Sequence, residues 1–226
     1  MTTPTKNARA EARRREREEQ RRSEVKRQRL IYGGVGLAVL VAAVVIAVLS
    51  VGETDDRLGV SDVAGDVEVD GEALPPLPEG GEDPAIGEPA PVLTGVDFDG
   101  SAVTVGDGAQ VVSFVASWCP ACDAELPQVV DWLEGGGPPA EVEFLMVATN
   151  HDDSRQNWPP QDWFADAGYT GEVMVDDVAS TAFQTYGFTA TPAWAVIGED
   201  GQVLFRGSGM LDPSRFDELA QLAATG

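Results

Sequence analysis

Two residues in this chain can act as thiol nucleophiles, Cys119 and Cys122, and they stand as Cys-Pro-Ala-Cys. The chemistry that needs this pair is disulfide exchange. Residues three apart share one face of a helix, and at a helix start two cysteines so spaced come within disulfide reach, with Cα atoms roughly 5–6 Å apart. The first cysteine then meets unpaired backbone N–H groups and the positive end of the helix dipole. That setting favours the thiolate, which is the attacking species. Pro120 suits the first helical turn because its missing N–H costs nothing there. Ala121 and Cys122 keep N–H groups that can donate to the Cys119 sulfur. Cys119 is therefore the expected nucleophile and Cys122, one turn deeper, the resolving thiol. Glu125 lies three residues past Cys122 on the same face. It is either a solvated helix glutamate or a proton acceptor for Cys122 during resolution.

The pair must be delivered by a strand. The apolar run VVSFVA at 111–116 reads as a buried strand leading to Trp118 and Cys119, and a helix follows over 120–133, kinked at Pro127 and stopped by Gly-Gly-Gly-Pro-Pro at 135–139. Around it, 92–96 and 102–105 flank Asp99-Gly100 as a hairpin. A strong buried strand is expected at 141–149. A short helix at 160–167, a short strand at 172–175 and a short helix at 179–186 come next. Strands at 193–197 and 202–206 join through Glu199-Asp200-Gly201, and an amphipathic helix at 213–223 closes the chain. This order predicts an α/β fold with a mixed sheet. Phe114, Phe144, Phe183 and Phe205 are expected in the core. Trp158, Trp163 and Trp194 are expected in the core or lining the 150–177 segment. His151, the only histidine, is expected on a surface loop. With two cysteines and one histidine a four-ligand zinc site has no donors, so no metal is expected.

Charge divides the chain. Residues 1–30 carry eleven Lys/Arg against five Asp/Glu, a net of +6, whereas the rest carries a net of −29. So acidic a body argues against nucleic acid as a partner. Residues 30–52, LIYGGVGLAVLVAAVVIAVLSVG, hold no charge over 23 positions, long enough to span a hydrocarbon core of roughly 30 Å and longer than a cleaved signal's apolar region. A signal anchor is expected there. The basic tail at 1–29 then stays in the cytoplasm, and the remainder faces a compartment that permits disulfides. Residues 53–85 are acidic and proline-rich and read as a disordered tether. The expected domains are thus tail 1–29, anchor 30–52, linker 53–85 and a globular domain 86–226.

In the globular part the chain resembles thioredoxin-fold proteins, in particular the membrane-anchored TlpA/ResA/CcmG (DsbE) group of thiol–disulfide oxidoreductases. The resemblance covers about 86–223. It is carried by Gly87-Glu88-Pro89-Ala90-Pro91, by Trp118-Cys119-Pro120-Ala121-Cys122 with Glu125 and Pro127, by Tyr186-Gly187-Phe188-Thr189-Ala190-Thr191-Pro192, and by Gly198-Glu199-Asp200-Gly201. It implies a thioredoxin fold with an N-terminal hairpin and an inserted helix and strand between Asn150 and Asp177. It implies a redox disulfide Cys119–Cys122 and a cis Thr191-Pro192 bond facing it, with the Thr191 backbone free to pair with a substrate strand. Trp118 either packs as a wall or covers the disulfide and lines the substrate groove. The position of Glu125 is a carboxylate that influences the cysteines in this group. Two positions depart from the pattern. Ser113 stands where many thioredoxins have a buried acid, and Asp123 stands where the group is often basic. Asp123 and Glu125 should oppose a Cys119 thiolate, giving a more reducing pair.

The implied activity is reduction of disulfides in exported proteins, including the haem-binding cysteines of apocytochrome c, with electrons from a membrane thiol carrier and no cofactor. The alternative direction is that of an oxidant or isomerase for exported proteins. A peroxiredoxin-like peroxidase lacks its Pro-x-x-x-Thr-x-x-Cys context here. A copper-delivery module of this fold needs Cys-x-x-x-Cys with a distant histidine.

Overall fold

The computed structural model describes residues 58–226. The expected tail 1–29 and anchor 30–52 lie outside these residues, and among the described residues no helix is long and apolar enough to cross a membrane. In order, the elements are α1 (Val60–Val63), β1 (Glu68–Asp70), β2 (Val92–Val96), β3 (Ala102–Val105), β4 (Gln110–Val115), α2 (Pro120–Glu134), β5 (Glu143–Ala148), α3 (Pro160–Asp166), β6 (Glu172–Val175), α4 (Thr181–Thr185), β7 (Ala193–Ile197), β8 (Val203–Ser208) and α5 (Ser214–Thr225).

The strand before the cysteines is the middle of a five-stranded sheet, order β6-β5-β4-β7-β8. β4 runs parallel to β5 and antiparallel to β7. All six β4 residues are buried, which is why its sequence is a continuous apolar run rather than an alternation. Successive side chains still go to opposite faces. Val111 and Val115 pack with α2 residues Leu126 and Val129 and α5 residues Phe216 and Leu219. Val112 and Phe114 pack on the other side with Leu93, Val105, Phe183 and Tyr186. The β2–β3 hairpin turns at Gly100, whose φ of +88° only glycine adopts readily.

Residues 58–85 correct the expectation of a disordered linker. β1 pairs antiparallel with β2, and Leu74 and Ala85 join the core beneath the hairpin. The Leu74 and Leu77 N–H groups donate to the carbonyls of Thr185 and Gly187, each at 2.8 Å. Gly187 has φ +72°, and the Pro75 carbonyl occupies the place a Cβ would take. Asp83 pairs with the fully buried side chain of Arg206 at 2.5 Å. The acidic composition that argues for disorder is an average over the segment. It hides a few apolar anchors and one carboxylate with a buried cation waiting for it. The segment is a strap laid against α4 and the loop that follows it.

Candidate active site

The chain leaves β4 through Ala116-Ser117-Trp118 and enters α2 with Cys119 as its N-cap, at φ −77° and ψ 120°. The Cys119 N–H is held by the Ala116 carbonyl at 3.0 Å. Its sulfur accepts the Cys122 N–H at 3.5 Å. Both cysteines are free thiols. Cys119 is 6% exposed and Cys122 is not exposed at all. Across from them the Thr191-Pro192 bond is cis, and the Thr191 carbonyl lies 3.4 Å from the Cys119 sulfur, as an acceptor for its S–H. Trp118 is half-buried against the core. Its indole N–H donates to the Asn150 carbonyl at 2.6 Å, and the Arg155 guanidinium sits 4.4 Å above its ring.

The two thiols are pushed apart in acidity. Burial by itself raises Cys119, but hydrogen bonding by Thr191, by Cys122 and by the Cys122 and Ala121 N–H groups outweighs it and lowers the thiol below its ordinary value. Burial pushes Cys122 far up, and the neighbouring Cys119 adds to the effect. Glu125 is not a solvated helix glutamate. It is 1% exposed, on the same buried face of α2 as Cys122. Burial pushes its carboxyl up to about 7, against the opposing pull of the Leu211 N–H and the Trp194 side chain. The Leu211 N–H donates to Glu125 Oε1 at 2.6 Å.

The Redoxin family pattern matches residues 85–222, more than half of the chain. The chain belongs to the Redoxin family. Among solved structures, the thioredoxin domain of a thiol-disulfide oxidoreductase from Bacteroides vulgatus is 14% identical with a TM-score of 0.51, over 62% of this chain and 99% of that one. That likeness is one of fold, and the fold is thioredoxin-like. A thiol:disulfide interchange protein from Chlorobium tepidum TLS is 27% identical, with a TM-score of 0.48, over 60% of this chain and 94% of that one. StoA from Bacillus subtilis is 21% identical, with a TM-score of 0.49, over 62% of this chain and all of that one. With its cysteine pair at the mouth of α2, this Redoxin is a thioredoxin-like thiol–disulfide oxidoreductase.

Several features of the Redoxin site differ from expectation or were not legible in its sequence. The leading influences on the Cys119 thiol are burial and hydrogen bonds, with neither Asp123 nor Glu125 among them. Asp123 is drawn instead toward the inserted segment, accepting from Trp163 Nε1 at 2.9 Å and Asn157 Nδ2 at 3.2 Å. Asn157 also donates to the Ser117 carbonyl at 2.9 Å, so it ties the insertion to the cysteine loop. Beside this contact lies a cavity of about 560 Å³ lined by Asp123, Pro127, Trp158, Asp162, Trp163 and Asp166, among others. Trp158-Pro159, on its rim, is a second cis bond. His151 lies in a loop but is half-buried, with Nε2 3.1 Å from the Asp176 carbonyl; burial lowers its pKa. Phe205 is only partly buried, whereas Trp194 is fully enclosed. Asn157 and Leu211 carried no signal at all, since each acts through a contact distant in sequence. Among the described residues no group of three or more His, Cys, Asp or Glu side chains converges as a metal site.

Proposed function

We propose that this enzyme works outside the cytoplasm, tethered by residues 30–52, and reduces disulfides of exported proteins, with the haem-binding cysteines of apocytochrome c among its substrates. One observation carries the direction of attack. The lowered, slightly exposed thiol is Cys119, and the raised, enclosed thiol is Cys122. Cys119 attacks a partner disulfide and forms a mixed disulfide; one partner sulfur leaves with the bonding electrons and takes up a proton. Cys122 then gives its proton to Glu125 and attacks the Cys119 sulfur. The Cys119–Cys122 bond forms as the mixed bond breaks, and the second partner sulfur leaves and is protonated. The dithiol is oxidised by two electrons and the partner disulfide is reduced. A membrane thiol carrier returns the two electrons.

The reductive direction is supported by the absence of any charged group favouring the Cys119 thiolate and by the strong penalty on a Cys122 thiolate. A strong oxidant of this kind owes its potential to a stabilised reduced form, whereas here the hydrogen bonds that lower Cys119 work against its burial. Trp118 and the Thr191 backbone flank the nucleophile and are the contacts for the partner's chain. The tether rests on the uncharged stretch in the sequence.

The test is covalent trapping by the full-length Cys122→Ser protein in its native membrane, with the reduction potential measured on the wild-type chain. The reading expects adducts with exported proteins that dissolve on reduction, and a potential near that of thioredoxin, about −270 mV. No exported partner in the adducts refutes the substrate class. A potential near about −120 mV reverses the electron flow and makes the protein an oxidant.

A further inference from the structure

Beneath α2, two buried polar side chains of the sheet lack hydrogen-bond partners. Ser113 on β4 and Trp194 on β7 are directly opposed in register, and such cross-strand neighbours share a face. It is the face that carries Val111, Val115 and Val196 toward α2. Both residues are fully buried, and neither Ser113 Oγ nor Trp194 Nε1 has a partner. Buried N–H groups are nearly always paired, because an unpaired one keeps its full desolvation cost. An orphan in the middle of a redox site therefore calls for an acceptor that is present only in one state.

The candidate acceptor comes down from α2. Glu125 has one oxygen occupied by the Leu211 N–H at 2.6 Å. The Trp194 indole is near enough to favour the charged form of that carboxyl, yet it makes no full hydrogen bond. The ring cannot turn away. It stacks on Phe216 at 5.4 Å and contacts Phe144 at 6.2 Å between centroids. No charged side chain acts on Glu125. Cys122 shares the buried face of its helix, the Leu211 N–H reaches it from the β8–α5 connection, and the Trp194 indole comes from β7. Ser113 cannot ionise, so it leaves the proton traffic to Glu125. Trp194 also lies two residues past Pro192, on the strand entered directly after the Thr191 carbonyl that faces Cys119.

We infer that Trp194 is a positioning residue for the exchange reaction: its indole N–H closes onto the ionised Glu125 carboxylate and holds it ready to take the Cys122 proton. The inference rests on Glu125 being the proton acceptor for Cys122. In the mixed disulfide, the proton passes from Cys122 Sγ to Glu125, the Cys122 electron pair forms the bond to Cys119 Sγ, and the partner's sulfur leaves with the electrons of the broken bond. Once Glu125 is protonated, the indole hydrogen bond weakens.

The experiment follows the reaction of the reduced full-length protein, in detergent micelles, with Ellman's reagent. The first thionitrobenzoate released reports attack by Cys119, and the second reports resolution by Cys122. In the wild type the second step should rise with pH through a midpoint near the Glu125 value of about 7. Trp194→Phe removes the N–H that favours the carboxylate, so the midpoint must move up. The expected shift is at least about half a pH unit, roughly a threefold slower second step well below the midpoint, with the first step unchanged. Trp194 replaced by 3-benzothienylalanine, which keeps the bicyclic shape and exchanges N–H for sulfur, should give the same shift without the packing loss. In a Glu125→Gln background neither replacement should alter the profile further. A midpoint unmoved in both Trp194 variants overturns the inference alone. A shift that persists in the Glu125→Gln background also overturns it. A Glu125→Gln profile identical to wild type overturns the acceptor role of Glu125, and the inference with it.

Discussion

The two faces of the central sheet bury polar groups in opposite ways. On the strap side Arg206, Tyr186 and Asp176 are all partnered. Arg206 donates to Asp83, to the Pro75 carbonyl and to the Tyr186 carbonyl. Tyr186 donates to the Pro91 carbonyl at 3.0 Å. Asp176, fully buried, accepts from the Thr149 hydroxyl and from the N–H groups of Asp177, Ala182 and Phe183, so it anchors the start of α4. On the α2 side, Ser113 and Trp194 are unpartnered, and Glu125 sits buried with its carboxyl near neutrality. The difference teaches where the protein is built to stay and where it is built to change. A buried group held by several hydrogen bonds is costly to disturb. An under-satisfied one is cheap to switch.

Removing a partner from the strap side should therefore cost stability and leave the redox chemistry alone. The largest effect expected is that of Arg206→Met, which abandons Asp83 and two carbonyls. Breaking a buried pair costs about 3–5 kcal/mol. Denaturant unfolding measures the loss, while the pH dependence of Cys119 alkylation should not move. A shifted alkylation profile would join the two faces into one functional unit and break the contrast.

Glu125→Gln should do the reverse, gaining stability and losing chemistry. The folded carboxyl titrates at about 7 against an ordinary 4.5. Its folded pKa is raised, so the associated stability is fully present below the unfolded pKa and is lost as pH rises toward 7. The glutamine variant escapes that loss. Its advantage over wild type should open between about pH 4.5 and 7 and then hold constant, at about 3 kcal/mol. Unfolding at pH 5 and pH 8 tests this; equal stability at both would mean that the carboxyl titrates normally.

Asp176→Ala should cost about 2 kcal/mol, since it leaves a buried hydroxyl and the first N–H groups of α4 without an acceptor. Hydrogen exchange should place the loss in α4 and the adjoining strap. The smallest effect is expected from Arg155→Ala, where an exposed cation over the Trp118 ring contributes about 0.5 kcal/mol. Resolution by Cys122 should be indifferent to it, and a marked slowing would make Arg155 part of the reaction.

What could be read in the sequence follows from local rules. The apolar run at 111–116 meets a Cys-Pro start three residues on, so strand, turn and helix mouth are adjacent in the chain, and their geometry needs no distant partner. The two hairpins are equally local, set by Asp-Gly turns between apolar runs. The linker was misread because Leu74, Leu77 and Asp83 act only through Thr185, Gly187 and Arg206, more than a hundred residues away.

The same distinction runs through the active site. The placement of Cys119 at the mouth of α2 and of Cys122 one turn deeper is set by spacing on one helical turn, which is what the sequence alone determined; nucleophile and resolver are the roles proposed for them. Whether Glu125 faces water or the core was open in the sequence, because a helix has two sides. Only β7, crossing beneath α2 with Trp194, and the Leu211 backbone arriving from the other side of the fold decided it. Burial and acidity belong to the groups that surround a side chain, and those groups are assembled by the tertiary structure.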